Sequence, residues 1–226
     1  MIRKLWPDDI SEAKKIQDVL RKRVKIIPLK KTPEIVAGVD AAFADDKVVA
    51  VATLYEYPEL KHLQDAFSIE KIRFPYIPGM LSFREGHAII NAIGKLDAKP
   101  DVILFDGQGI AHPKGIGIAS HIGVILNIST IGCAKSRLVG EFKEPDTTRG
   151  SMEYLYYKGM KVGAVLRTRS NVRPVFVSPG HMIDIDSSIE IVMKCVSKYR
   201  IPEPLRRADQ LSKKHRYSNT PFFIAF

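Results

Sequence analysis

The run Asp101-Val102-Ile103-Leu104-Phe105-Asp106-Gly107-Gln108-Gly109 constrains the fold more than any other stretch. Val102 to Phe105 are wholly apolar, too few for a helix and rich in β-formers. They read as a buried strand that ends on a carboxylate and opens into glycines. A glycine loop, a helix around 117–127 and a second apolar strand over 129–134 come after it. That order is a βαβ unit, which requires a right-handed parallel crossover. Ligands bind at the carboxyl edge of such a sheet, although an Asp at a strand end also serves as a plain turn cap. Asp106 therefore needs partners before it means anything.

A partner stands upstream in Ile35-Val36-Ala37-Gly38-Val39-Asp40-Ala41-Ala42-Phe43, a β-like run with its carboxylate in the middle. At a period of two, Gly38, Asp40 and Ala42 share one face and Val39, Ala41 and Phe43 the other. Asp40 thus projects from the least bulky face, which predicts space beside the carboxylate. An ionised Asp in an apolar strand is costly unless it is paired or binds a cation. Two such strands side by side would join Asp40 to Asp106, and their repulsion would favour a divalent metal.

The rest of the chain reads as an α/β protein. Ser11 is a candidate N-cap for an amphipathic helix over 11–24, with Ile16, Leu20 and Val24 on one side and Lys and Arg around them. Three β-like segments over 35–43, 47–57 and 61–73 follow, the first two joined by Asp45-Asp46, and short connections make them an antiparallel meander. A helix over 80–97 buries Leu81, Ile89, Ile93 and Leu96, with Gly86 and Gly94 lowering its propensity. After the βαβ unit come a hairpin-like pair, 161–168 and 174–178, and helices at 184–198 and 204–214. The sheet is therefore mixed. No repeat or linker breaks the chain, so 226 residues with 45% hydrophobic content predict one domain over 1–214 and a short tail over 215–226.

A formal net charge of +10 favours a polyanionic partner, because Lys and Arg displace counterions from phosphates. The charge gathers near the ends, at Arg21, Lys22, Arg23 and Lys25 and at Arg206, Arg207, Lys213, Lys214 and Arg216. Cys133 and Cys195 lie far apart without zinc-ligand spacing, which argues against a disulfide framework or zinc finger. Asp8 and Asp9 interrupt the place of a signal peptide's apolar stretch, and no run reaches membrane-spanning length. These features predict a soluble cytoplasmic protein with no membrane association.

Three antiparallel strands, a helix and parallel strands, with acids on the first and fourth strands, form the layout of the ribonuclease-H-like nucleases. Within that superfamily the chain resembles endonuclease V, whose members act on nucleic acid containing deaminated bases. The resemblance is carried by Gly38-Val39-Asp40, Phe74-Pro75-Tyr76-Ile77-Pro78-Gly79, Phe83-Arg84-Glu85, Asp106-Gly107-Gln108-Gly109, Ala111-His112-Pro113, Gly117-Ile118-Ala119-Ser120-His121, Ala134-Lys135-Ser136, Ser178-Pro179-Gly180-His181 and Arg200-Ile201-Pro202-Glu203-Pro204. These motifs keep the family's order from about residue 10 to 214, so the predicted domain is an endonuclease V-like catalytic domain.

The resemblance implies that Asp40 and Asp106 hold Mg²⁺, with Mn²⁺ able to replace it, and that Glu85 takes part through water or nucleophile activation. It matches Lys135 to the family's catalytic lysine, placed to stabilise charge on phosphate. Family members carry His or Asp at the place of Asp209, so this chain is expected to build a more acidic site, closer to four carboxylates. It also implies that Tyr76 is a wedge that fills the gap left by an extruded base. The base pocket would be lined by Gly79, Leu81, Gly107, Gly109, Ile118 and Leu138. His112, His121 and His181 are open between phosphate contact and a structural role.

The implied activity is a Mg²⁺-dependent repair endonuclease acting on DNA with deoxyinosine or other deaminated bases. In the family the cut falls at the second phosphodiester 3′ to the lesion and leaves 3′-hydroxyl and 5′-phosphate. Two alternatives stand beside it: an inosine-directed nuclease acting on RNA, and a basic nucleic-acid-binding domain without catalysis. The tail Tyr217-Ser218-Asn219-Thr220-Pro221-Phe222-Phe223-Ile224-Ala225-Phe226 is apolar. It suits packing back on the domain, dimerisation or a sliding clamp, with self-packing favoured.

Overall fold

The structure, a computed structural model, describes residues 6–216. Helix α1 (Ile10–Arg21) is followed by strands β1 (Ile35–Ala44), β2 (Lys47–Glu56) and β3 (His62–Lys71) and helix α2 (Leu81–Ile93). Next come β4 (Val102–Phe105), α3 (Ile118–Leu126) and β5 (Ser129–Ala134). The chain continues through β6 (Met152–Tyr157), β7 (Met160–Leu166), β8 (Val175–His181), α4 (Ile185–Lys194) and α5 (Glu203–Arg216). The strands form one eight-stranded sheet in the order β3-β2-β1-β4-β5-β8-β7-β6. β4 lies parallel to β1 and β5, and the other pairings are antiparallel. This is the mixed ribonuclease-H-like sheet that the order of segments predicts.

Period-two alternation decides what each strand gives to either side of the sheet. Val36, Val102 and Leu104 join one core cluster with Ile191 of α4 and Leu205 of α5. Ala37, Val39, Ile103 and Phe105 join another with Ile89 of α2 and Ile122 of α3. Asp40 and Asp106 continue the first parity and so emerge on the α5 side. The β1–β2 hairpin closes through Asp45-Asp46, with Asp45 at φ +50, a left-handed conformation that Asp tolerates better than bulkier residues. Cys133 and Cys195 are buried free thiols, and among the described residues no helix is long and apolar enough to cross a membrane.

Several element ends differ from the sequence reading. α1 starts one residue before Ser11, because Asp9 is the N-cap and accepts the Glu12 N–H at 2.8 Å, and it stops before Val24. α2 ends at Ile93 with Gly94 as its C-cap, not at residue 97. α4 is capped by Asp184, whose side chain accepts from Ser187 N–H, and closes at Cys195, short of residue 198. β6 has no counterpart in the sequence reading. It is a half-exposed edge strand in which Leu155 alone is buried, so it lacks the alternating apolar pattern by which strands are read. α5 continues to Arg216, past the predicted domain end at 214, and the rest of the predicted tail, from Tyr217 on, lies outside the described residues.

Candidate active site

The site grows from the register of β1 and β4. Val39 pairs with Phe105, so the next residue on each strand, Asp40 and Asp106, stand side by side at the carboxyl edge. The small-residue face of β1 does not leave open space, as the sequence reading expects. It receives α5: a Cβ on Gly38 would lie 2.3 Å from the Pro204 carbonyl carbon. Thr53 Oγ1 fastens the same contact by donating to the Pro204 carbonyl at 2.9 Å. α5 then carries Asp209 and Ser212, three apart and therefore on one helix face, onto the strand-end acids. Ser212 Oγ donates to Asp40 Oδ2 at 2.7 Å. Asp40, Asp106 and Asp209 each present an oxygen within 4.8 Å of the others.

Electrostatics in this cluster follow from burial and like charge. Burial, with the charges of Asp106 and Asp209 adding to it, raises the Asp40 pKa to about 6 against the opposing hydrogen bond from Ser212. Glu85, on the first turns of α2, is buried, not an exposed helix-start residue. Burial followed by the charges of Asp40 and Asp106 pushes its pKa up to about 8. Glu85 stands outside the group of three oxygens, so the expected four-carboxylate arrangement is three gathered acids with a fourth nearby. Burial works against the Lys135 ammonium, but hydrogen bonds to Asp106 and to Asp209 Oδ1, the latter at 2.9 Å, outweigh it and raise its pKa. For Asp209 burial is likewise outweighed, and Lys213 and Lys135 hold its carboxyl below the ordinary range.

The donor set suits a hard divalent cation, since the converging atoms are carboxylate oxygens with no sulfur or imidazole among them. Repulsion among three half-buried acids is the physical reason to expect such an ion, and the Lys135 ammonium partly meets that need here. The Lys135 backbone is pinned as well: Arg200 Nη2 donates to its carbonyl at 2.7 Å and to that of Pro174 at 2.8 Å.

Beside the carboxylates lies a cavity of about 440 Å³, with Asp106 and Lys135 in its wall. Its size is that of a small-molecule or base site. Of the predicted pocket residues, Tyr76, Gly79, Leu81 and Gly107 are on the wall, and so are His112, Ile118 and Leu138. Tyr76 is 69% exposed, so it is not the core residue that a strand-ending turn would give. Gly109 lies off the wall. Its N–H donates to Ser178 Oγ at 2.8 Å, and a Cβ there would fall 2.1 Å from the Pro179 carbonyl oxygen. Its missing side chain therefore serves packing against β8.

His121 is fully buried and bonded through Nδ1 to Ser82 Oγ at 2.8 Å, while His181 Nδ1 accepts the Lys25 N–H at 3.2 Å. Both are structural, and His112 is the one of the three on the cavity wall. Sequence reasoning missed Ser212, although its spacing from Asp209 was a usable signal. It also missed Gln108, a buried wall residue whose Nε2 donates to the Ser136 carbonyl at 3.1 Å. The C-terminal basic group is partly spent inside the protein: Arg206 pairs with Glu203, Arg207 with Asp65 and Lys213 with Asp209.

Comparison with known proteins adds an independent line. The family model for endonuclease V matches residues 18–210. Endonuclease V of Dictyoglomus turgidum is 48% identical over 203 residues, covering 90% of this chain and 89% of that protein. The crystal structure of endonuclease V from Streptomyces avermitilis superposes with a TM-score of 0.89 at 40% identity, covering 93% of this chain and 94% of the other. Endonuclease V from Ciona intestinalis, in complex with a 24mer DNA containing an inosine followed by a ribo-adenosine, superposes at 0.78 with 27% identity, covering 91% and 97%. With its motifs on one site and with relatives this similar over nearly its whole length, the chain belongs to the endonuclease V family of nucleases.

Proposed function

We propose that this chain is a Mg²⁺-dependent endonuclease that extrudes deoxyinosine from DNA and hydrolyses the second phosphodiester on its 3′ side. The observation that carries the reading is the joint wall: a base-sized cavity whose lining includes Asp106 and Lys135, with the exposed ring of Tyr76 in the same lining. The DNA-bound Ciona relative supports the choice of an inosine-containing substrate.

In this reading the aromatic ring of Tyr76 takes up the stacking lost by the extruded base, and Pro75 and Pro78 keep its loop from spending order on binding. Backbone groups at Gly79 and Gly107 approach the planar base, because no side chain stands between. Asp40, Asp106 and Asp209 would hold the cation. A divalent ion held there supplies orientation of water and neutralisation of charge at the phosphate. Lys135 Nζ, freed from Asp106 and Asp209, turns to the developing negative charge on phosphate oxygen. Glu85, with a pKa near 8, holds or releases a proton at its carboxyl within the working pH range, as suits a group that assists the nucleophile.

An end-labelled duplex with one deoxyinosine, incubated with Mg²⁺ or with EDTA beside an unmodified duplex, tests this. The expected product is one Mg²⁺-dependent nick 3′ of the lesion, lost in Asp106→Ala while the fold persists. Full activity of Asp106→Ala would remove the metal assignment. The ribo-adenosine after inosine in the Ciona complex motivates a matched substrate with a ribonucleotide there, and cutting of RNA alone would shift the reading to an inosine-directed ribonuclease.

A further inference from the structure

The loop that presents Tyr76 is pinned at its far end inside the protein. Gly79 leads the loop into α2 with φ +78, a conformation in which glycine has freedom that other residues lack. Its carbonyl oxygen accepts a hydrogen bond from Gln17 Nε2 at 2.8 Å. Gln17 lies on the inner face of α1 at 2% exposure, next to Ala13, Ile16 and Leu20. Those neighbours belong to an apolar cluster with Phe74, Met80 and Phe83. An amide in such surroundings costs free energy unless it is hydrogen-bonded, and the Gly79 carbonyl is the acceptor that the fold offers.

His112 approaches the same peptide from the cavity side. Its Nδ1 accepts the Lys114 N–H at 3.2 Å, which leaves the proton on Nε2, and the ring bonds to the Gly79 backbone. Burial lowers the His112 pKa to about 4, so this donor is a neutral ring at physiological pH. Two prolines stiffen the loop, Gly79 is its natural swivel, and the bond from Gln17 on the core side restrains it together with His112 on the cavity side.

We propose that Gln17 is a positioning residue for lesion capture: by holding the Gly79 carbonyl it presents Tyr76 in one arrangement before DNA arrives. Ordering that the substrate would otherwise impose is thereby met during folding. The proposal rests on the reading of Tyr76 as a wedge given above. Gln17 lies one residue before the span that the family model matches, so no motif points to it and the tertiary contact alone does.

Gln17→Met keeps length and burial and removes the donor. In the free chain, hydrogen exchange reads the anchor at the Met80 N–H, which is bonded to the Ile77 carbonyl at 2.9 Å. That amide is expected to exchange roughly 5–20-fold faster in Gln17→Met, the scale of one buried hydrogen bond, while amides in the middle of α1 keep their protection. Binding, measured with Ca²⁺ in place of Mg²⁺, is expected to weaken by roughly the same factor for a deoxyinosine duplex and by less than about twofold for an unmodified one. In a Tyr76→Ala background the Gln17→Met effect should shrink below about twofold, because the two residues act as one unit. Equal losses on both duplexes, effects that multiply with Tyr76→Ala, or unchanged Met80 exchange would each overturn the role of Gln17 alone. A wild-type chain with no preference for deoxyinosine would overturn the wedge reading and this proposal with it.

Discussion

Asp40 and Glu85 bind protons more tightly in the folded chain than their ordinary values of 3.8 and 4.5 allow, reaching about 6 and about 8. Burial is the larger cause in both, and neighbouring acids add to it. The folded state therefore holds protons that the unfolded state has released. Stability of the metal-free protein is expected to fall as pH rises from about 3.8 through 6 for Asp40 and from about 4.5 through 8 for Glu85. A divalent cation competes with those protons. The rise in melting temperature on adding Mg²⁺ should accordingly grow from pH 5.5 to pH 8.5, and a pH-independent rise would show that the ion does not sit at Asp40 with Glu85 close by. Asp40 and Asp106 were legible in the sequence as carboxylates on two β-like runs that would meet if the strands lay side by side, and the parallel β1–β4 register is what brings them together. The burial of Glu85 was not legible, since it depends on how α2 lies over the sheet edge.

Helix α5 makes a metal-competent cluster out of a pair of strand acids. Its N-terminus rests on Gly38, where a Cβ would come within 2.3 Å of Pro204 backbone, and its later turns deliver Asp209 and Ser212. Gly38→Ala is expected to cost about 1–3 kcal/mol through overpacking and to shift α5 away from Asp40, so that cleavage falls further than stability. Urea unfolding and the nicking rate of one preparation measure both, and an unchanged urea midpoint would mean that the helix accommodates the methyl group. Read in one dimension, Gly38 marks only a small face. That the face is small because a helix lies on it is a relation between residues more than 160 apart in sequence.

Across the molecule, the net charge of +10 is less available than it reads from the chain. Arg206 and Arg207 are held by Glu203 and Asp65, whereas Arg21, Lys22, Arg23 and Lys25 at the end of α1 are exposed. Arg21 also lies beside Gly115, in the loop that leads to the cavity wall at Ile116 and Gly117. Neutralising Arg21 and Lys22 together should therefore reduce the slope of log affinity against log salt by roughly one for each phosphate no longer neutralised. Arg207→Ala should leave the slope unchanged and lower stability, because the half-buried Asp65 loses its guanidinium partner and keeps His62 Nε2 at 2.9 Å. Titrations of an unmodified duplex at several salt concentrations check both, and the opposite pattern would place the DNA path on the C-terminal side.

By itself the sequence determined the layers, the mixed sheet and the two β-like runs that carry Asp40 and Asp106. Each of these follows from local periodicity and from the rules for joining neighbouring strands. Family motifs extended that reach to Lys135, Asp209 and most of the cavity wall. The tertiary structure alone decided that Gly109 faces β8 instead of the cavity, that Asp209 gathers with two strand acids while Glu85 stays apart, and that Gln17 holds the loop of Tyr76. Periodicity tells which face of an element a side chain occupies. It carries no information on which distant element arrives at that face or how closely, and hydrogen bonds, repulsion and close packing depend on those distances.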